Sequence, residues 1–298
     1  MRGRVLAVVG ATAIGVAVVL TAQMRAPVRP AAASWELVVL GIAQDAGIPH
    51  LGCDQPLCES VRRGERPRQR VASLGLVNDV LGRAYLFDAT PDLPSQVHDL
   101  TGGRPPDGVF LTHGHIGHYT GLMYLGRESI DADAVPLYAT DRMAAYLTHN
   151  GPWSLLVERG NVELRRLVPD KPVRLEEGVS MTPLRVPHRD EFTDTVGFRI
   201  DGPNRSALYI PDIDQWSRWD RDIRALAGEV DFVLLDGTFA SVDEIPGRTT
   251  DDIPHPLMDT TRDLLRDVRA DVWFIHLNHT NRQIAAEDVV RDGQRFGM

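Results

Sequence analysis

Short apolar runs, most of them closed by a polar or charged side chain, recur along the chain from residue 35 onward. The first, Trp35–Gly41 (WELVVLG), is too short for a helix and reads as a buried strand. Val71–Asp79 and Arg83–Asp88, split by a glycine-containing turn, read as a hairpin. Gly108–Leu111, Pro136–Ala139, Met181–Pro187, Ala207–Pro211, Phe232–Leu235 and Val272–Ile275 extend the series. Between them, helical spacing predicts helices over Pro91–Leu100, Tyr119–Arg127, Asp141–Thr148, Gln215–Ala227 and His255–Val268. Thr90 is the expected cap of the first of these, with Pro91 expected at its first helical position. Ile42–Arg70, rich in Gly and Pro, reads as a long loop. Alternating strands and helices predict an α/β layering in which helices cover sheet faces. Neither Pro169–Pro172 nor Asp243–Pro254 shifts composition sharply enough to mark a boundary, so Ser34–Met298 is expected to form one domain.

The residues before Ser34 follow a different pattern. Arg2 and Arg4 precede an uncharged, mostly apolar run from Val5 to Ala22, followed by Pro27, Pro30 and Ala31–Ala33. This is the layout of a secretory signal peptide, and the run is also long enough to serve as an N-terminal membrane anchor if it is kept. The expectation is an exported protein, periplasmic or extracellular, released or tethered to the membrane through residues 1–33. Losing that segment, with its four arginines and no acid, takes the formal charge from -9 to -13. Such an acidic chain lacks the basic footprint that nucleic acid requires, so nucleic acid is not expected as a partner; a small-molecule substrate is. Oligomeric state is not legible in the sequence.

Charge matters less than where the metal-binding side chains fall. Thr112–His118 (THGHIGH) places three histidines in six positions directly after an apolar run. Along extended backbone His113 and His115 fall on one side, and His118 can turn back to the same point. His188, Asp212 and His276 likewise end apolar strands, where loops carry function on a rigid scaffold. Together they form the ligand set of a two-metal site: His113, His115 and His188 for one ion, His118, Asp212 and His276 for the other, with Asp212 between them. Imidazole donors suit zinc, and iron is the less favoured alternative. Asp88 and Asp236, also at strand ends, are candidates to hold the outer nitrogens of ligand histidines or simply to cap the following turn. Tyr119 reads as a core residue or an oxyanion donor. Arg62, Arg63, Arg66, Arg68 and Arg70 read as a solvated loop or an anion clamp. No Gly-x-Ser-x-Gly nucleophile motif is present, so covalent catalysis has no support.

With these residues in view, the sequence resembles the metallo-β-lactamase superfamily, whose hallmark is His-x-His-x-Asp-His followed by a later His, Asp and His. GIAQDAGIPHLGC, THGHIGHYTGLMYLGRE, VPHRDEFTDTVGF, YIPDID and FIHLNHTN resemble the pyrroloquinoline quinone biosynthesis protein B family in particular. The resemblance implies a four-layer αββα sandwich and a metal-dependent hydrolase. In such an enzyme a zinc-activated hydroxide attacks an ester, lactone or phosphodiester-type bond, with Asp212, His118 and His276 in catalytic roles. A binding or carrier protein for a quinone-like metabolite, or an iron-dependent oxidising enzyme, is the alternative.

Two departures from the family pattern affect the metals. The loop aspartate is Gly117 here, so the second ion is expected to bind more weakly, leaving one or two zinc ions at the site. Relatives also carry a structural zinc site of Cys-x-Cys-x-x-Cys plus a late histidine. Here Cys53 and Cys58 flank Gln55, with His279 at the late position and His50 as a further donor. These four residues form either a closed zinc site or a Cys53–Cys58 disulfide beside two histidines; spacing favours the first and export the second.

Overall fold

The computed structural model describes residues 34–298 apart from 177, 245, 246, 248, 250 and 251. The leader or anchor expected over residues 1–33 lies outside the described residues. No described helix is long and apolar enough to cross a membrane.

Among the described residues, thirteen strands form two mixed sheets. The first contains β1 (Glu36–Gly41), β2 (Ser73–Asn78), β3 (Arg83–Phe87), β4 (Gly108–Phe110), β5 (Val135–Ala139), β6 (Val162–Arg166) and β13 (Arg295–Gly297), in the order β13-β1-β2-β3-β4-β5-β6. The second contains β7 (Val173–Arg174), β8 (Ser180–Val186), β9 (Thr195–Asp201), β10 (Ser206–Ile210), β11 (Phe232–Asp236) and β12 (Asp271–Ile275), in the order β12-β11-β10-β9-β8-β7. Side chains alternate across each strand and sort into layers. Leu37, Val39, Phe87 and Phe110 face Phe198, Tyr209, Phe232 and Phe274 in the core between the sheets. Val38, Leu40, Leu86 and Val109 turn outward onto α2 (Leu93–Thr101), α4 (Asp141–His149) and α5 (Trp153–Glu158). On the other side Leu208, Ile210, Val233 and Leu235 pack on α6 (Ile223–Gly228) and α7 (Met258–Leu265). The result is the αββα sandwich that the resemblance implies.

The strand directions create a functional edge. β1 runs with β3 through antiparallel β2, and β4 is parallel to β3. In the other sheet β8 runs with β10 through antiparallel β9, and β11 and β12 are parallel to β10. The C-terminal ends of these strands therefore share one rim of their sheet. A hydrogen bond from Val196 N to Thr112 O, 3.0 Å, joins the rims across the sandwich.

Several elements depart from the pattern-based expectation. The loop Ile42–Arg70 contains a short helix, α1 (Pro56–Arg62). Strand β6 carries Glu163, Arg165 and Arg166, the charge that protects a sheet edge from pairing and hides it from an apolar search. The helix expected over Gln215–Ala227 breaks into a 3-10 turn at Trp216–Arg218 and α6. Both Trp216 and Trp219 are drawn into the core, and Trp219 Nε1 donates to Arg185 O at 2.8 Å. Tyr119–Arg127 is not one helix either: a single turn, α3 (Ile116–Tyr119), contains His118 and a 3-10 stretch follows to Leu125. The last helix starts at Met258, after Pro256, leaving His255 in a bend in front of it.

Phe198 is fully buried, with its ring centroid 5.4 Å from Phe87 and 5.8 Å from Phe110 across the sandwich. Phe198→Ala should destabilise the protein by about 3–5 kcal/mol, read from the midpoint of urea unfolding.

Candidate metal centre

Every ligand expected for the two-metal site lies on this rim. His113 and His115 follow β4, His188 follows β8, Asp212 follows β10 and His276 follows β12. Ligand atoms of His113, His115, His188 and Asp212 all lie within 4.8 Å of one another. His113 Nε2 is 2.9 Å from His115 Nδ1 and 3.3 Å from Asp212 Oδ2, while His188 Nε2 is 3.3 Å from His115 Nδ1 and 3.2 Å from Asp212 Oδ2. Beside them His118 Nε2 stands 3.3 Å from His276 Nε2. Asp212 Oδ2 lies 3.9 Å from each of these two nitrogens, placing one carboxylate between two groups of imidazoles.

The outer nitrogen of each of these histidines has a neighbour. His118 Nδ1 bonds Asp88 Oδ2 at 2.7 Å, and Asp88 also receives Thr112 N and Oγ1. His113 Nδ1 meets Thr112 Oγ1 at 2.9 Å, and His276 Nδ1 meets Thr238 Oγ1 at 3.1 Å. His115 Nε2 meets Glu191 Oε2 at 2.9 Å, and His188 Nδ1 lies 3.5 Å from Asp214 Oδ1. Such partners fix ring orientation and tautomer, aiming the inner nitrogens at shared points. Asp88 (φ 64°) and His276 (φ 66°) adopt left-handed backbone, which costs a non-glycine residue about 1–2 kcal/mol and is held by the surrounding bonds.

Asp236 takes the second of its two expected roles and caps the turn that follows β11. It receives Ile213 N and Thr238 N and pairs at 2.9 Å with His255 Nδ1, which also lies 3.3 Å from Asp212 Oδ1. Asp236 thus fixes the backbone directly after Asp212. His255, buried beside the ligands, had no sequence signal beyond standing before a helix. Asp45 was equally hidden in the glycine-rich loop after β1; its Oδ1 lies 3.4 Å from His118 Nε2 and 3.8 Å from His276 Nε2.

The other candidates resolve as follows. Cys53 and Cys58 form a disulfide, so no thiolate remains for a zinc clip. His279 and His50 stack on each other with ring centroids 4.3 Å apart. Tyr119 OH bonds Tyr146 OH at 2.9 Å, a core contact rather than an oxyanion donor. Arg62, Arg63, Arg68 and Arg70 pair with Glu59, Glu65, Asp92 and the Asp99–Asp292 pair respectively, which removes them from an anion clamp.

The electrostatics fit a cation site. Burial pushes His113 well below the ordinary imidazole value, helped by His118. Burial also opposes charge on His118, but the Asp88 and Asp45 carboxylates overcome it and hold His118 well above that value. His188 is raised to about 9, burial being outweighed by Asp212 and Asp214, and His255 to about 10 by Asp236 and Asp212. Despite burial, the Asp212 carboxyl is held well below its usual range by His188, His276 and His255. Asp45 Oδ1 and Asp212 Oδ1 are buried and accept no hydrogen bond. Stranded carboxylate oxygens among inward-pointing imidazoles match the donor chemistry of zinc or a similar cation.

A family model described as a β-lactamase superfamily domain matches residues 83–277, and the chain belongs to that superfamily, with the metallo-β-lactamase fold and clustered His and Asp metal-site residues. Within it, the chain is a distant homologue of coenzyme PQQ synthesis protein B: it is 28% identical to that protein from Ruegeria pomeroyi over 83% of this chain and 90% of the relative. Among solved structures, zinc-bound PqqB from Methylobacterium extorquens superposes with a TM-score of 0.73 at 23% identity, over 88% of this chain and all of that one. A diphosphatase from the PhnP family has a TM-score of 0.66 at 25% identity, covering 89% of this chain and 97% of its own.

A metal ion can bind His188 and His118 only after their protons leave. Zinc affinity should therefore be weak near pH 6 and rise towards about 9, the value to which His188 is raised, with proton release in calorimetry at pH 7. A pH-independent affinity would contradict this electrostatic assignment. Cys53→Ser/Cys58→Ser should leave metal content unchanged in elemental analysis.

Proposed function

We propose that this protein is a zinc-dependent hydrolase, cleaving an ester, lactone or phosphodiester-type bond in a small molecule. The observation that carries the reading is Asp212 Oδ2, within 4.0 Å of inner nitrogens of His113, His115, His118, His188 and His276. Zinc held at such a site lowers the pKa of bound water to about 7 and supplies a nucleophile at neutral pH. His113, His115 and His188 with Asp212 hold one ion, and His118, His276 and Asp212 contribute to the second. The remaining work falls to the protein. Glu191 and Asp88 keep His115 and His118 in the ligating tautomer, and Asp236 fixes the chain beside Asp212. His255 Nδ1 bonds Asp236 Oδ2 and stands 3.3 Å from Asp212 Oδ1, which places the imidazole, raised to about 10, as a positive charge beside the shared carboxylate.

Substrate enters on the side of His115, whose side chain is 12% exposed while those of His113, His118, His188 and His276 are nearly inaccessible. The likeness to a diphosphatase favours including phosphodiesters and phosphoanhydrides among the candidate substrates. Arg2, Arg4 and the apolar run that follows support export, with or without a membrane tether.

The test is elemental analysis of protein purified without chelator, followed by turnover assays on lactone, ester and phosphodiester panels. The expected result is bound zinc and turnover of at least one class. His113→Ala/His188→Ala should lose the metal and lower kcat/KM by about 1000-fold or more, the scale on which electrostatic stabilisation operates. Full zinc content in that double variant would refute the ligand assignment. Iron in place of zinc would instead support the oxidising alternative, and metal without turnover the carrier alternative.

A further inference from the structure

The loop motif lacks its acid at Gly117, yet the space beside His118 contains a carboxylate. Asp45 brings one from the loop after β1. A Cβ built on Gly117 would stand 2.5 Å from Asp45 Cα and closer still to Asp45 Oδ1. A side chain at 117 and the observed Asp45 cannot occupy that volume together.

Asp45 is held in place by its surroundings. Gln44 N donates to Leu277 O at 2.9 Å, Leu277 N to Ile42 O at 2.8 Å, and Asn278 Nδ2 to Gln44 Oε1 at 2.5 Å. The loop bearing Asp45 is therefore bonded to the segment directly after His276. His118 and His276 turn their Nε2 atoms to the same point because Asp88 and Thr238 occupy the opposite ring nitrogens. Asp45 Oδ1 is buried, lies within 3.8 Å of both, and accepts no hydrogen bond.

We propose that Asp45 is the acidic ligand of the second metal position, completing a set of Asp45, His118 and His276 with Asp212 shared, and that it replaces through space the aspartate absent from Gly117. This rests on the metal-centre reading above. It reverses the expectation that glycine at 117 leaves the second ion weakly held, because the carboxylate has moved rather than disappeared.

Zinc titration monitored by calorimetry, with bound metal counted after gel filtration, tests the proposal on full-length protein. Wild type should retain two ions in this centre, and Asp45→Ala and Asp45→Asn one each, with the second affinity lowered by roughly 100-fold or more, since even an outer partner of a ligand is worth 10–100-fold. Asp45→Gly/Gly117→Asp should regain the second ion, because the freed volume admits the aspartate at 117. Circular dichroism establishes that each variant is folded, and Asp45→Asn, which keeps the side-chain shape, isolates the loss of charge. Two tightly held ions in Asp45→Ala would overturn the proposal. So would a single ion in wild type that Asp45→Ala leaves unchanged, although the metal-centre reading would then stand. No metal in folded wild type would overturn both.

Discussion

A buried carboxylate surrounded by imidazoles is the constraint around which this molecule is arranged. Asp212 is almost fully buried, and Oδ2 has five histidine nitrogens within 4.0 Å. In a medium of low dielectric the carboxylate needs positive charge nearby, while the imidazoles repel one another if all are protonated. Without metal, protons on His118 and His188 meet the first need, and His113, pushed to neutrality, relieves the second. Cations satisfy both at once. The strand directions, the left-handed turns at Asp88 and His276, and the carboxylates behind the rings hold donors where their own electrostatics alone would not gather them.

Much of the fold was legible because its inner strands are nearly continuous apolar runs. β1, β3, β4, β10 and β11 are buried on both faces over nearly all their length, between the partner sheet and a helix layer, and their sequences leave little other role for them. Misreadings fell where one layer is missing or tertiary packing prevails. Strand β6 has charged outer positions, and the Trp216–Trp219 turn follows two indoles into the core at the expense of helical hydrogen bonding. The four-layer arrangement came from family likeness and not from periodicity, which identifies strands but not how sheets stack.

The site divides in the same way. Histidines spaced along one extended segment are visible in sequence because alternation puts them on one side, and strand-end residues are visible because an apolar run stops at them. Asp45, His255, Glu191 and Asp214 carry no such mark. Each lies in irregular backbone and becomes relevant only through a neighbour distant in the chain, as Glu191 does through His115. The cysteine pair was ambiguous for a related reason: spacing five residues apart permits either a metal clip or a direct bond, and only the disulfide geometry distinguishes them.

The mutual exclusion between Gly117 and Asp45 bears on how such centres are catalogued. A written pattern encodes adjacency along a chain, whereas coordination chemistry is indifferent to which strand delivers an oxygen. A search demanding an acid immediately before His118 scores this chain as degenerate at that point, although the missing group is supplied from another loop. In this chain glycine in the histidine loop and aspartate after the first strand are complementary, because the volume beside His118 has room for only one of the two side chains.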